Sequence, residues 1–582
     1  MNKKLNLLLV SILMLSSTLL LAQYNRKQLL LEQANNLRRM RDYNLVLDIY
    51  EVLMRDYSDD LEVIDGYIMA LLNLERTDEA EKALNTYKTI FPSEKYIDYS
   101  VQISLRKGEV KKGRKDALDF LAENPGKMNL YSDLASVFEM YRMNDVAIEI
   151  LLKARTVAKD KNLHAYELAR NYQSFNKRSE AIEEYVRHLS HNPGYQYTVN
   201  NKVKEIIGEE PKLIAELKKL VENSSNQSLK ELYAVSLVKI EEYEEALIVY
   251  NGLEPQKLLS FANELAASGN KELAIQAYEL CIERVDDPLL RADVGLKLAD
   301  TLISSNKLED AETILLSIVG DQGLQDRKVR YRTQANRTAR EILAKLSIKK
   351  RKDSNEVIKW YDEAKSFAYN ANEKGSLELQ IIRYLVMLEE YSAANNRLDK
   401  LLSKEHSGSQ LAKTGHYYRF ILEIMQTTEA SDSLLTEMIV SDPGSKETSE
   451  ALFLTSVVGS MSDTIKKVFL KVYRMKSNYQ ELEALELIVS NESYLQNEEL
   501  RILAAELAYS LEHFDLAETL FAEKYQDDTL LGYATLCLSM LKSENKESYR
   551  VVLTEFLKEH PTHVFSSYLR QMLEISSNMN TP

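Results

Sequence analysis

Residues 176–193, NKRSEAIEEYVRHLSHNP, bring Glu184, His188 and His191 within eight positions. On a helix these residues fall on neighbouring turns. Two imidazoles and a carboxylate are the groups that hold zinc or pass protons. No HExxH motif and no second ligand cluster accompanies them. Counted from Ala181, His188 lies seven residues on, close to two helical turns, which puts it at a packing position. Glu184 and His191 are expected further round, toward solvent. The same +7 position holds Tyr87, Phe120, Ala154, Cys281, Ile318 and Leu401 after other small or apolar residues, so it reads as a packing slot that here carries a histidine.

The remaining reactive residues form no constellation. His560 and His563 flank Pro561, where a histidine in a last helical turn meets backbone carbonyls. Cys281 and Cys537 read as structural thiols, with no disulfide framework or cysteine metal site between them. There is no GxxxxGK[ST] loop, no GxGxxG and no GxSxG elbow. Acidic pairs such as Glu183–Glu184, Glu241–Glu242 and Asp286–Asp287 read as solvated helix faces. The expectation is a non-catalytic chain with no cofactor and no metal.

What positions these residues is a repeat. From Ala181, equivalent small or apolar residues occur at Val46, Ala80, Gly113 and Ala147, in steps of 34, 33, 34 and 34. A weaker match at Ala215 is 34 further on, followed by Ala246, Ala274 and Ala311, then Ala394, Ala517 and Tyr549. Proline falls 12 residues after the anchor at Pro92, Pro125, Pro193 and Pro561, where it ends a helix. A second apolar pattern at helical spacing precedes each anchor, as in YSDLASVFEMY (131–141) and HAYELARNYQSF (164–175). Each unit is therefore helix, turn, helix, and units must stack to bury both apolar stripes.

This pattern resembles the tetratricopeptide repeat (TPR) family. Tyr131, Leu134, Ala135 and Phe138 followed by Ala147 carry the resemblance, as do Leu168, Ala169 and Tyr172 followed by Ala181 and Pro193. Leu298, Ala299 and Leu302 followed by Ala311 carry it again. The resemblance implies an all-α fold, an α-solenoid of stacked antiparallel helical hairpins in a right-handed superhelix. It further implies a concave groove lined by first helices that binds partner peptides or helices. The first-helix residues so implicated are Tyr166, Arg170 and Gln173, with Asn200 and Lys204 in the next unit. The Lys/Asn pairs with which some members clamp a chain-terminal carboxylate do not recur in successive units here.

The chain of 582 residues exceeds what one compact core organises, as an elongated repeat protein does. Its net charge of −15 argues against general nucleic-acid binding. Gly (17) and Pro (9) are too scarce for a turn-rich β protein, and 34 Tyr against 13 Phe suits thin, half-exposed layers. One stretch reverses the charge: from Arg327 to Lys352 there are 11 Lys or Arg and one acid, Glu341. Arg327, Lys328, Arg330, Arg332, Arg337, Arg340, Lys349 and Lys350 are its candidate contact residues. They read either as a docking surface for an acidic protein or an anionic envelope component, or as a helix that balances acidic neighbours.

The opening MNKKLNLLLVSILMLSSTLLLAQ has a basic start (Lys3, Lys4) and an apolar run from Leu5 to Leu21, the pattern of a secretory leader ending near Ala22. The same run is at the short limit for an uncleaved membrane anchor. No later stretch has transmembrane length. The expected division is leader 1–22, TPR-like array 23–322, basic helical connector 323–355 and divergent TPR-like array 356–582. The expected role is a protein-interaction scaffold of the bacterial cell envelope, periplasmic or associated with the outer membrane. A membrane-anchored accessory factor of a secretion or polymer-export system is the alternative, and enzymatic activity in the divergent C-terminal half is less favoured. N-terminal sequencing of exported protein should start just after Ala22; recovery of intact Lys3–Lys4 on membranes would establish the anchor instead.

Overall fold

The computed structural model describes residues 26–326, 328–406, 408–543 and 546–578. The leader and Arg327 lie outside the described residues. Among the described residues all regular structure is helical, and no helix is long and apolar enough to cross a membrane. The helices run as consecutive antiparallel pairs, such as Met128–Met140 with Asn144–Ala158 and Ala165–Ser174 with Arg178–His191. This is an α-solenoid of TPR-like hairpins.

One local device makes each pair. The residue five before the anchor takes a left-handed backbone: Arg41, Glu75, Arg142, Asn176, Asn306, Glu389 and Glu512 all have φ between 56° and 64°. Glycine fills the position at Gly108 and Gly269. The next residue's N–H then donates to a carbonyl five residues back, as Met143 to Phe138 (2.8 Å), Lys177 to Tyr172 (2.8 Å) and His513 to Ala508 (2.9 Å). This bond satisfies a carbonyl orphaned at the end of the first helix and turns the chain into the second. The anchor follows one turn into the second helix. Ala80, Ala147, Ala181, Ala246, Ala274, Ala311, Ala394 and Ala517 are all fully buried. Without a larger side chain there, the paired helices approach closely, and Tyr131, Phe138 and Tyr185 fill the space between units.

Pro125, Pro193 and Pro561 each sit two residues past a second helix ending at Glu123, His191 and Glu559. Pro92 instead stands at the N-cap of the next helix, Ser93–Arg106, because its second helix ends early, at Thr86. Ala215 is not an anchor. It is exposed, and the short helix Ile214–Val221 buries Leu217 and Val221 after a Pro211–Leu213 turn.

The chain divides into two compact units, the first ending at Lys257 and the second beginning at Leu258. Within the second unit the basic stretch is itself half of a hairpin. Arg330–Lys349 is its first helix and Ser354–Ser366 its second. Arg351 (φ 55°) makes the left-handed turn, and Lys352 N–H donates to Ser347 O (2.9 Å). The anchor position is Glu356, whose carboxylate accepts from Ser347 Oγ (3.3 Å). A large polar anchor hid this unit from the search for small residues. A further turn at Tyr479 (φ 57°) serves the buried Ala484. The hairpin near Ala430 has no such turn: Thr428 is left-handed, but Ala430 precedes the second helix Asp432–Ser441.

Ala181→Leu should overpack the helix pair and lower stability by about 1–3 kcal/mol. Ala215→Leu at the exposed position should change it by less than about 0.5 kcal/mol. Urea denaturation of the two variants checks both.

Candidate functional site

The strip that opened the sequence does not converge. His188 lies against Tyr166 and Tyr195, with ring centroids 5.2 and 4.7 Å apart. Burial pushes its pKa below the usual imidazole range, opposed by Glu167. His191 is exposed and contacts Asn162 (3.1 Å). Glu184 does not face solvent as expected. Its side chain is 8% exposed and takes both Arg155 guanidinium nitrogens (2.7 and 2.5 Å). Arg155 comes from the preceding second helix and also donates to Leu163 O (2.7 Å). The pair joins consecutive units and takes Glu184 away from His188 and His191. Among the described residues no three His, Cys, Asp or Glu side chains are placed to hold a metal. Cys281 and Cys537 are not joined in a disulfide.

Most of the first-helix residues singled out above are built into contacts within or between units. Arg170 pairs with Glu139 (3.1 Å). Gln173 accepts from Tyr185 Oη (2.9 Å) and reaches Glu205 (3.5 Å). Asn200 is buried and accepts from Gln196 (2.8 Å). Tyr166 packs on Tyr185 as well as His188, and Lys204 is half-buried.

The same face carries a feature not picked out in sequence, a ladder of carboxylates. Asp65, Asp98, Asp133 and Glu167 stand on four successive first helices, in steps of 33, 35 and 34. Asp65 takes Lys95 (2.7 Å) and Tyr99 Oη (2.5 Å). Asp98 takes Gln102 Nε2 (3.1 Å). Burial first, then the like charges of Asp133 and Asp65, push the Asp98 carboxyl up to about 6, against that hydrogen bond and Lys95. Asp133 is exposed. Glu167 is held below its usual range, chiefly by His164. The signal was available in sequence: carboxylates recurring at the repeat period on one helix face.

Several groups of the basic stretch are spent inside the second unit. Arg340 is buried, lies over the Phe367 ring (4.2 Å), and bonds Asn336 O (3.2 Å) and Glu363 (3.3 Å). Lys350 pairs with Glu309 (2.5 Å) and with Glu312. Arg337 pairs with Glu373 (3.6 Å), and Arg330 lies over Tyr369 (5.2 Å). Arg340 and Lys350 therefore leave the expected docking surface, because neighbouring helices supply their counter-charges. Lys328 and Arg332 at one end and Lys349 at the other make no ion pair among the described residues.

The second unit also holds an open groove of about 1100 Å³ beside the second helices Glu481–Val489 and Phe514–Phe521. These are nine and eight residues long, against 14 in Lys271–Arg284, so they leave space between successive hairpins. Leu482 (48% exposed) and Phe514 (50% exposed) present apolar surface there. Glu486, Glu512 and Asp515 stand at its edge without ion pairs among the described residues.

Fold and surfaces together define a TPR-like helical-repeat protein. No family model matches the chain, and no curated protein matches it. Matches among solved structures include the C-terminal part of a TPR repeat-containing protein from Cytophaga hutchinsonii, at 14% identity over 44% of this chain and 94% of that one (TM-score 0.24). Naa15/Naa10 bound to HypK-THB matches at 15% identity over 84% and 80% (TM-score 0.23). The Cut9–Hcn1 hetero-tetramer of the APC/C matches at 14% identity over 90% and 98% (TM-score 0.21). At such distances the assignment rests on this chain's own repeat and hairpin turns.

A carboxyl whose pKa is higher folded than unfolded (3.8) stabilises the fold fully below pH 4, and that stability is lost as pH rises through about 6. Asp98→Asn should therefore raise the melting temperature at pH 7.5. The gain should vanish near pH 3.5, as thermal unfolding at the two pH values will show.

Proposed function

We propose that the chain is a non-catalytic, exported scaffold of the bacterial cell envelope that holds partner proteins by basic, partly apolar segments. The observation that carries this reading is the carboxylate ladder. Its like charges recur at the repeat period, so a basic segment running along the first helices meets one acid per unit. The groove beside Leu482 and Phe514 supports the same partner chemistry, since an apolar trough edged by carboxylates suits an amphipathic helix with Lys or Arg on its flanks. Affinity spread over several units needs no single deep pocket. Export and the envelope location are supported by the leader pattern at Lys3–Leu21. The ends of the basic stretch, at Lys328, Arg332 and Lys349, suit a smaller contact with an anionic envelope component.

Crosslinking in intact cells, with mass-spectrometric identification of captured proteins, tests the reading. Asp98→Lys with Asp133→Lys should cut capture at low salt by tenfold or more, with helicity unchanged. Leu482→Asp with Phe514→Asp should abolish capture through the groove. Capture that ignores both double variants would overturn the proposal.

A further inference from the structure

In the second unit two helices far apart in sequence meet. Ala371–Met387 and Asp463–Ser477 are not neighbours in the hairpin order. Yet Arg474 pairs with Glu389, and Asn478 Nδ2 donates to Met387 O (3.4 Å). The helices between them line a partly open cavity of about 300 Å³, at the small end of the range for small-molecule sites. It is too small to pass a folded segment.

Its walls are polar and aromatic. Tyr417, Tyr418 and Tyr473 line it, with Arg383 on one helix and Glu447 and Glu450 on another. Glu450 accepts from Tyr473 Oη (2.7 Å), and Glu447 from Thr414 (3.2 Å). Arg383 makes no ion pair and no hydrogen bond among the described residues, although it lines this cavity and an adjoining one. Most guanidinium groups of this unit find a carboxylate; Arg383 is partly open to solvent as well as lining the cavity, so its fork is free to take an anion there. Tyr418 and Tyr473 each lie near enough to both Arg383 and Glu450 to feel their charges. Burial keeps both hydroxyls protonated as donors.

A dianion such as phosphate would meet Arg383 and Lys446 but also the carboxylates of Glu447 and Glu450, a lining with no net charge to offer it. A simple monoacid would leave both carboxylates without a new donor. From Arg383 opposed by Glu447 and Glu450 across a tyrosine-walled cavity, we infer that the second unit binds a free α-amino acid. The carboxylate forks onto Arg383, the ammonium donates to the Glu447–Glu450 wall, and the side chain packs on the tyrosine rings. This site is separate from the protein-docking surfaces proposed above.

The test uses the purified full chain. The twenty free amino acids are screened by thermal shift, and any hit is titrated by calorimetry beside its amide, its N-acetyl form and inorganic phosphate. At least one amino acid should raise the melting temperature. Its amide and its N-acetyl form should each bind at least tenfold more weakly, and phosphate should have no effect. Arg383→Gln should lose at least tenfold in affinity while melting like the wild type without ligand, because Arg383 holds no partner in the fold. Arg383→Lys, which keeps the charge and loses the fork, should fall between and serves if the Gln variant does not fold. No hit, a hit unaffected at position 383, equal binding of the N-acetyl form (as expected of a peptide's terminal carboxylate), or binding of phosphate would each overturn the inference.

Discussion

The left-handed residue between paired helices is the constraint on which the rest of the structure depends. An L-residue there costs about 1 kcal/mol or more in backbone strain, yet among the described residues the position is filled by Arg, Glu, Asn or Tyr in most hairpins and by glycine only at Gly108 and Gly269. What sustains it is the closing bond from the following N–H to the carbonyl five residues back, together with the burial of the anchor one turn later. The turn sets the crossing of the two helices, the anchor sets their separation, and together they fix which side chains of the first helix face outward. A change in either reorients a whole helix, whereas a change on an outward position alters only its own contact.

Stacking then multiplies what one unit presents. A residue on a first helix recurs roughly every 34 positions on the neighbouring one. A carboxylate tolerated once becomes a ladder when neighbouring units repeat it, as at Asp65, Asp98 and Asp133. The cost appears at Asp98, whose partly buried carboxyl is crowded by like charge. Elsewhere the repeat offsets such costs with cross-unit pairs: Arg155 with Glu184, Arg170 with Glu139, Arg114 with Glu149. Asp133, and in the second unit Glu486, Glu512 and Asp515, are among the acids that make no ion pair among the described residues.

The fold was legible in sequence because its signals are periodic and local. Small anchors, the apolar stripe before them and the terminating prolines fall in one phase, and the structure realises them with the exceptions of Pro92 and Ala215 and of Tyr549, whose turn lies outside the described residues. The unit built on Glu356 was not legible, since an acid stands where a small residue was sought and only the turn geometry exposes the equivalence. The site was less legible. Glu184 reads as a surface acid because its partner, Arg155, lies 29 residues away. The basic stretch reads as a patch because sequence shows charge but not the carboxylates of Glu309, Glu312, Glu363 and Glu373 that other helices bring to it. Arg383 is unremarkable in sequence; what marks it is the lack of any such partner, a property only the packed structure defines.

The abundance of tyrosine over phenylalanine follows from the same architecture. Two layers of helices bury a ring but seldom bury it far from polar groups, so a phenol is more useful than a phenyl. Tyr99 bonds Asp65, Tyr185 bonds Gln173, Tyr233 bonds Glu245, Tyr473 bonds Glu450 and Tyr533 bonds Glu506. Each ring fills space between helices while its hydroxyl steers a carboxylate or amide on the next. Asp65, Glu245 and Glu506 also take a lysine (Lys95, Lys218 and Lys476), whereas Glu450 is held by a phenol with no ion pair among the described residues. An acid fixed by a neutral donor keeps its charge and its aim, and that is the condition under which a repeated surface selects partners by geometry as well as by charge.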